Sequence, residues 1–285
     1  MRKILSLSVL LLALALCGTP LLAKEYTGTM QQIKKSGTLK IGYRKAQPPI
    51  SFVDQKGSPA GYSIDLGKAI AKEIGQELGR EINIVYLPVD SNNRFQALND
   101  GSIDLLCGAT TKTLSRMEKV DFTQLTFVTG AAFLVPQGSN IANHFDGKKL
   151  GVVRSTTTEN HLQAMLKKTG VKADVVLMKN SEEGLKKLKS GALDAFAADQ
   201  VVLIGLALSS GNPGGFKILP NLFSFEPFAL ALRRNDADLK LAADRALSRL
   251  YRSKKILKIY EKWFGQFAKP TSAYRAMIML NATPE

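Results

Sequence analysis

The sequence predicts an α/β protein of two lobes, each a largely parallel sheet flanked by helices, with a cleft between them. Three observations lead to this prediction: β-type runs alternate with amphipathic helical patterns, a helix–glycine–strand motif occurs twice, and the chain ends in a purely helical segment. Alternation of this kind is typical of parallel sheets with helices on both faces. A length of 285 residues with 45% hydrophobic side chains allows about two domains, each with its own core.

The predicted strands and helices follow one another in a regular order. Short apolar runs predict strands, and apolar residues recurring every three or four positions predict helices. The first half contains the strand Thr38–Tyr43, the helix Ser63–Leu78, the strand Ile82–Leu87, the helix Asn93–Asn99 and the strand Ile103–Cys107. The second contains the strand Leu150–Val153, the helix Thr157–Lys168, the strand Val175–Met178, the helix Glu182–Lys189 and the strand Ala195–Ala198. The tail adds helical stripes over Leu239–Leu250 and Ile256–Trp263.

A repeated motif suggests how the chain is divided. The segments Leu98–Asp104 and Leu188–Asp194 share the pattern L-x-x-G-x-(apolar)-D, whose glycine can end a helix in the left-handed conformation. Such junctions are common, so the repeat is compatible with coincidence as well as with two similar lobes. In the two-lobe interpretation, residues 24–130 and 229–285 form lobe 1, residues 131–228 form lobe 2, and hinge strands lie near 131–135 and 228–232.

Residues 1–23 have the features of a signal peptide. Arg2 and Lys3 precede an uncharged apolar run, and the small residue Ala23 closes the segment. A run of about 13 apolar residues is too short to anchor the chain across a bilayer. A lipoprotein processed at Cys17 is the alternative, but a bulky leucine precedes that cysteine. We therefore expect a soluble periplasmic protein, released by cleavage after Ala23.

Charge and motifs exclude several classes of function. The formal net charge is +15 from 39 basic and 24 acidic residues. The basic residues are scattered and form no basic–aromatic stripe, so nucleic-acid binding is not expected. No metal-ligand cluster, phosphate loop or nucleophile–base pair is visible, and His144 and His161 are the only histidines. We expect no metal, no cofactor and no enzyme activity.

Two threonine-rich corners follow predicted strands. One is Gly108-Ala-Thr-Thr-Lys-Thr, and the other is Arg154-Ser-Thr-Thr-Thr-Glu. In the second, Thr156 and Glu159 have capping-box spacing, which places hydroxyls and free N–H groups at a helix N-terminus. Helix N-termini attract anions, although many such corners are only turns and caps.

One basic and one acidic residue lie near strand ends in the two halves. Arg116 stands in a further capping-box match, Ser115–Glu118, and can clamp a carboxylate there. Asp199 directly follows the predicted strand Ala195–Ala198. Its carboxylate can hold an ammonium group or cap the helix that follows, and the residues alone leave both roles open.

Five motifs, taken in order, resemble the polar amino-acid solute-binding proteins of ABC importers. They are Ser36-Gly-Thr-Leu-Lys-Ile-Gly, Gly61-Tyr-Ser-Ile-Asp-Leu, Cys107-Gly-Ala-Thr-Thr, Arg116-x-x-x-Val-Asp-Phe and Lys262-Trp-Phe. Tyr43-Arg44 and Ser91-Asn-Asn-Arg94 resemble the glutamate/aspartate-binding branch most. The resemblance implies a type II periplasmic-binding-protein fold and a monomer. It also implies closure of the lobes on an amino acid and delivery to a membrane permease.

The resemblance also implies three sets of ligand contacts. The α-carboxylate is expected to meet Arg116, Thr111 and Thr156, the ammonium group Asp199 and the carbonyl near Ala109, and the side chain Arg44, Ser91 and Arg94. Two arginines in the side-chain pocket favour an acidic side chain, so glutamate or aspartate is the expected ligand. Tyr43 or Phe52 is expected to wall this pocket, unless either belongs to the core.

The chain departs from that branch at three positions. The branch has serine in place of Ala109, histidine in place of Ser181, and cysteine in place of Leu230, to which the cysteine matching Cys107 is bridged. Cys107 is therefore expected to be a small buried apolar residue. Three alternatives remain: a binding protein for glutamine or asparagine, a dehydratase-like enzyme on the same fold, and a sensory module presenting the ligand to a receptor.

Overall fold

The computed structural model describes residues 25–142 and 144–284. Its elements up to the first crossover are α1 Gly28–Ser36, β1 Thr38–Tyr43, β2 Ala46–Gln47, β3 Ser51–Val53, β4 Pro59–Ala60, α2 Tyr62–Leu78, β5 Asn83–Pro88, α3 Arg94–Asn99, β6 Leu105–Cys107, α4 Leu114–Met117 and β7 Val120–Thr129. The next are β8 Ala131–Pro136, β9 Lys149–Val153, α5 Thr157–Thr169, β10 Asp174–Met178, α6 Ser181–Lys189, β11 Ala195–Asp199, α7 Gln200–Ser209, a 3₁₀ turn Pro213–Gly215 and β12 Phe216–Ile218. The last are β13 Glu226–Arg233, α8 Ala237–Arg252, α9 Lys255–Phe264 and α10 Ser272–Leu280.

Two five-stranded sheets have the same topology. The first runs in the order β5-β1-β6-β13-β7 and the second in the order β10-β9-β11-β8-β12. In each sheet the first three strands are parallel to one another, and the fourth strand is antiparallel to both of its neighbours. The repeated motif lies just before the third strand of each sheet, and Gly101 and Gly191 are left-handed there, with φ of 76° and 73°. The predicted fold class, α/β with two lobes of similar build, is the one observed.

The helix α2 shows how local sequence sets an element. Its buried face carries Ile64, Ile70 and Ile74 against the first sheet. Gly61 precedes it with φ 130°, and a Cβ at this position would lie 2.4 Å from the carbonyl oxygen of Ile50. Only glycine fits there, because both the conformation and the close approach exclude a side chain.

The C-terminal helices pack on the sheet that contains β1. Helix α8 contacts α2, α1 and β7, and α10 contacts β7. Tyr260, Phe264 and Tyr274 from this tail surround Phe127 of β7, with ring centroids 5.0 to 6.4 Å from it. This aromatic cluster holds the C-terminal helices against the first sheet. Among the described helices, none is long and apolar enough to span a membrane.

The chain passes between the two sheets at adjacent places. It leaves the first sheet at Gly130, between β7 and β8, and re-enters it at Glu226, which pairs with Thr129. A Cβ on Gly130 would lie 2.4 Å from the carbonyl oxygen of Ser224, so the two crossing segments are in close contact. We call the part of the chain built on the first sheet lobe 1 and the part built on the second lobe 2.

Two further expectations from the sequence concern the signal peptide and Cys107. The predicted signal peptide, 1–23, lies outside the described residues. Cys107 is a free, buried thiol, and burial raises its pKa. Leu230 is also fully buried, on the strand that pairs with β6. Cys107 is thus the apolar core residue that the sequence predicts, and its thiol is protonated.

Candidate functional site

The candidate site lies where several strands end at the interface of the lobes. Strand β1 leads into Arg44, β6 into the first threonine corner, β9 into the second, and β11 ends at Asp199. In α/β sheets, ligands bind at the carboxyl ends of the strands, because loops and helix N-termini gather there. The parallel strands of both sheets therefore direct their following residues into one cleft.

The cleft collects three guanidinium groups. Arg44 and Arg94 are 4% and 2% exposed, and Arg116 is half-buried. Burial, and to a smaller extent the charge of Arg116, lowers the pKa of Arg44 to about 10. Burial also lowers the pKa of Arg94, to which Arg116 and Arg44 contribute by repulsion. Three neighbouring cations removed from water are costly unless anions neutralise them, so the site is built for an anionic ligand.

Five buried polar atoms in this region point to a missing partner. They are Arg44 Nη1, Arg94 Nε, Ser91 Oγ, Thr110 Oγ1 and Asp199 Oδ1, and none has a hydrogen-bond partner within the part of the chain that the structure describes. Buried polar groups are nearly always paired, so a cluster of unpaired donors and acceptors marks a place for a polar ligand.

Asp199 is a buried carboxylate in this cationic cleft. It precedes α7, but its side chain makes no capping hydrogen bond to that helix. Burial raises its pKa to about 8, the charge of Glu226 raises it too, and Arg116 opposes the shift. Of the two roles left open by the sequence, the geometry therefore favours the partner for an ammonium group.

The first threonine corner positions Arg116. Its Nη1 donates to the carbonyl oxygen of Thr111 at 2.8 Å, and its backbone N–H donates to the hydroxyl of Thr113 at 3.2 Å. Thr113 is thus the N-cap of α4, and the sequence-based prediction of a capping box beginning at Ser115 is wrong. Thr113 is the cap because its extended backbone directs its hydroxyl at the first free N–H groups of the helix.

The threonine hydroxyls of the second corner have two different roles. Thr156 is the N-cap of α5: its hydroxyl accepts from Glu159 N–H at 3.1 Å and donates to the Val153 carbonyl at 2.7 Å. The Thr157 hydroxyl instead lies 3.2 Å from that of Thr111, across the cleft. The structure therefore brings Thr157 to the site and uses the Thr156 side chain for the cap.

The lobes also meet beside the predicted side-chain pocket. The Ser155 hydroxyl donates to Asn92 Oδ1 at 2.8 Å, and Arg94 Nη2 donates to the Ser155 carbonyl at 3.3 Å. Ser155 has a left-handed backbone, φ 59°, which is uncommon outside glycine. These contacts place Arg94 and its neighbour Ser91 at the boundary of the lobes, which are closed on each other here.

The remaining predicted residues, Ala109, Tyr43 and Phe52, have different surroundings. Ala109 is buried, and its N–H donates to Gln47 Oε1 at 3.1 Å. Tyr43 belongs to the main core and packs edge-on against Tyr86. Phe52 packs on Trp263, 5.8 Å between ring centroids, and also lines an interlobe groove.

That groove, with a volume of about 1280 Å³, is separate from the arginine cluster. It runs between the β2–β3 region of lobe 1 and the helices α6 and α7 of lobe 2, and Lys45, Lys186 and Lys189 line it. None of the eight predicted ligand residues lines it. In the described part of the chain, no group of three or more His, Cys, Asp or Glu side chains is placed to hold a metal.

Sequence reasoning missed two residues that the structure brings to the site. Thr157 stood in the predicted corner, and its position one residue after the cap was the available signal. Glu226, wholly buried, contacts both Thr111 and Thr157 through its carboxylate. No motif surrounds Glu226 in the sequence, because its partners come from distant segments.

A two-lobed α/β fold closed around a buried cluster of charged groups defines a binding protein of the periplasmic type. The profile of the bacterial extracellular solute-binding proteins, family 3, matches residues 39–266. The chain therefore belongs to family 3 of the bacterial extracellular solute-binding proteins, as the sequence motifs predict.

Individual relatives agree with this assignment. The chain is 33% identical over 260 residues to an L-glutamate/L-aspartate-binding protein of Pseudomonas aeruginosa, covering 90% of this chain and 86% of the relative. It is 32% identical over 209 residues to a glutamine-binding protein of Geobacillus stearothermophilus, covering 72% and 76%. The solved structure of an ancestral arginine-binding protein bound to arginine matches with a TM-score of 0.72 and 35% identity, covering 80% of this chain and 99% of that one.

Proposed function

We propose that this protein is exported to the periplasm, captures L-glutamate or L-aspartate by closing its lobes, and delivers it as a monomer to the permease of an ABC importer. The observation that carries this proposal is the charge of the cleft. Three guanidinium groups, of Arg44, Arg94 and Arg116, share this region with two carboxylates, of Asp199 and Glu226, which leaves one positive charge in excess. An acidic amino acid brings two carboxylates and one ammonium group, which complements this set.

The contacts divide naturally between the two ends of such a ligand. Arg116 and the N-terminus of α5 suit the α-carboxylate, because cationic groups and free helix N–H groups both favour an anion. The Thr111 hydroxyl, which was expected to join them, already donates to Glu226. Asp199 suits the ammonium group. Arg44 Nη1 and Arg94 Nε, both without partners among the described residues, suit the side-chain carboxylate.

Binding of a neutral amide ligand is the second candidate. The relative from Geobacillus stearothermophilus carries the name of a glutamine-binding protein, and the buried hydroxyl of Ser91 suits an amide as well as a carboxylate. An amide would bring no counter-charge to either of the two pocket arginines, which is costly in a buried site. We therefore place glutamate and aspartate before glutamine and asparagine.

The test is isothermal titration calorimetry on protein refolded after unfolding, so that any retained ligand is removed. We expect glutamate or aspartate to bind at least about tenfold more tightly than glutamine, a difference of about 1.4 kcal/mol. Ligand recovered chemically unchanged after long incubation would argue against the dehydratase alternative. Capture of a chemoreceptor with no permease would favour the sensory one.

A further inference from the structure

The structure contains a carboxylate at the hinge that the proposed ligand contacts do not use. Glu226 is the first residue of β13 and is completely buried. Its Oε2 accepts hydrogen bonds from the hydroxyls of Thr111 and Thr157, the latter at 2.7 Å. Its Oε1 accepts a third from the hydroxyl of Ser224 at 2.7 Å. A buried carboxylate with three hydroxyl donors is well satisfied as an anion.

The two donors to Oε2 come from different lobes. Thr111 follows β6 of lobe 1, whereas Thr157 begins α5 of lobe 2, and their hydroxyl oxygens are 3.2 Å apart. Both can reach one oxygen atom only while the lobes are closed. Opening must therefore break at least one hydrogen bond to a buried charge, and such bonds are about twice as strong as neutral ones.

Glu226 also stands at the crossing between the lobes. It pairs with Thr129, one residue before the first crossing, and its third donor, Ser224, lies against Gly130. The carboxylate is thus attached to the part of the chain about which the lobes would turn. Its charge acts on the ligand residues as well: burial lowers the pKa of Arg116 and Glu226 opposes that shift, whereas burial and Glu226 together raise the pKa of Asp199.

We propose that Glu226 is a positioning residue that clasps the two lobes, holding Thr111 and Thr157 together and stabilising the closed conformation. The closure part of this proposal depends on the observed hydrogen bonds alone, whereas the effect on ligand affinity rests on the proposed function. The two parts therefore need separate measurements.

Closure is measured without ligand, by pulsed electron–electron distance measurements between spin labels on Gln55→Cys and Lys186→Cys. Both residues line the interlobe groove from opposite lobes. Cys107 is buried and serves as the unlabelled background. We expect Glu226→Ala to reduce the population at the short, closed distance at least about threefold, and Glu226→Gln to restore most of it, because the amide oxygen still accepts from both threonines.

The matched control is Thr158→Val. This change removes the hydroxyl of the residue next to Thr157 in α5, and that hydroxyl is not among the three that donate to Glu226. We expect its distance distribution to equal that of the parent. Thr157→Val removes an interlobe donor while keeping the side-chain shape, so it should reproduce the loss seen in Glu226→Ala. It also keeps the test valid if Glu226→Ala does not fold.

Affinity is measured for glutamate by calorimetry in the same variants. We expect a Kd raised about tenfold in Glu226→Ala and in Thr157→Val, with the double variant little weaker than either single one. Unchanged closure in both single variants would overturn the proposal, as would additive losses or tighter binding in Glu226→Ala. If glutamate does not bind the parent protein, the proposed function fails, and the distance measurements still decide the clasp.

Discussion

Arg116 and Asp199 carry opposite charges, and in the proposed complex Arg116 binds the α-carboxylate of the amino acid and Asp199 binds its ammonium group. Removing either leaves a charged end of the ligand buried without its partner, which costs about 3–5 kcal/mol. We predict that Arg116→Ala and Asp199→Ala each weaken binding of any amino acid by at least about 100-fold in calorimetry. Arg275→Ala is the control, since this exposed arginine of the C-terminal helix α10 should leave affinity unchanged. Affinity near that of the parent in one of these variants would remove the substituted residue from the site.

Arg94 is predicted to set the preference for the ligand side chain. It is almost completely buried, and its Nε lacks a partner among the described residues. We predict that Arg94→Ala lowers the ratio of glutamate to glutamine affinity by about tenfold, because the side-chain carboxylate loses one cation. The readout is competition of the two ligands in calorimetry. An equal loss of affinity for glutamate and glutamine would show that Arg94 supports the structure of the cleft and does not contact the ligand side chain.

The proton on Asp199 links affinity to pH. Burial and Glu226 raise the pKa of Asp199 to about 8 in the ligand-free protein, and a bound ammonium group would lower it by favouring the ionised form. Binding below about pH 8 must then release a proton, so affinity should rise with pH, by up to about tenfold per unit.

The proton release is measured directly by calorimetry in two buffers of different ionisation enthalpy. At about pH 7 we predict release of up to about one proton per ligand in the parent. An Asp199→Asn variant should release none. Affinity that is independent of pH between about pH 6 and pH 8 would show that Asp199 does not bind the ammonium group.

At the scale of elements, two adjacent threonines at the N-terminus of α5 have different roles, one in helix stability and one at the binding cleft. The Thr156 hydroxyl caps the helix, and the adjacent Thr157 hydroxyl faces Thr111 across the cleft. We predict that Thr156→Ala lowers the free energy of unfolding by about 1 kcal/mol, the usual contribution of a cap, with little effect on affinity. Denaturant titration measures the first effect and calorimetry the second. A large loss of affinity in Thr156→Ala would support the sequence-based assignment of Thr156 as a ligand residue.

Elements were predictable where local pattern decides them. The strand Thr38–Tyr43 has the predicted bounds, and the helix predicted from Ser63 begins one residue earlier, at Tyr62. The cap of α4 was misplaced at Ser115, because Ser115 and Thr113 both fit a cap by type and only the backbone distinguishes them. A local choice between equivalent residues depends on tertiary contacts that a pattern does not contain.

At the scale of the whole molecule, the repeated glycine motif anticipates two sheets of identical topology. The arginine cluster was reached through the family resemblance, since Arg44, Arg94 and Arg116 are far apart in sequence. Glu226 was missed altogether because its partners, Thr111 and Thr157, lie 115 and 69 residues away along the chain. Contacts that cross between lobes leave no local signal.

The central claim is that the cleft of three arginines and Asp199 selects an acidic amino acid. A thermal-shift screen of ligand-stripped protein against the twenty amino acids and small dicarboxylates tests it most directly. A ligand at about 100 times its Kd stabilises the folded state by about 2.7 kcal/mol. For a chain of this size we expect about 2–4 °C per kcal/mol. We predict clear shifts with glutamate or aspartate, and much smaller ones with glutamine, asparagine and dicarboxylates without an ammonium group. A shift produced only by neutral amino acids, or by none of the twenty, would contradict the account.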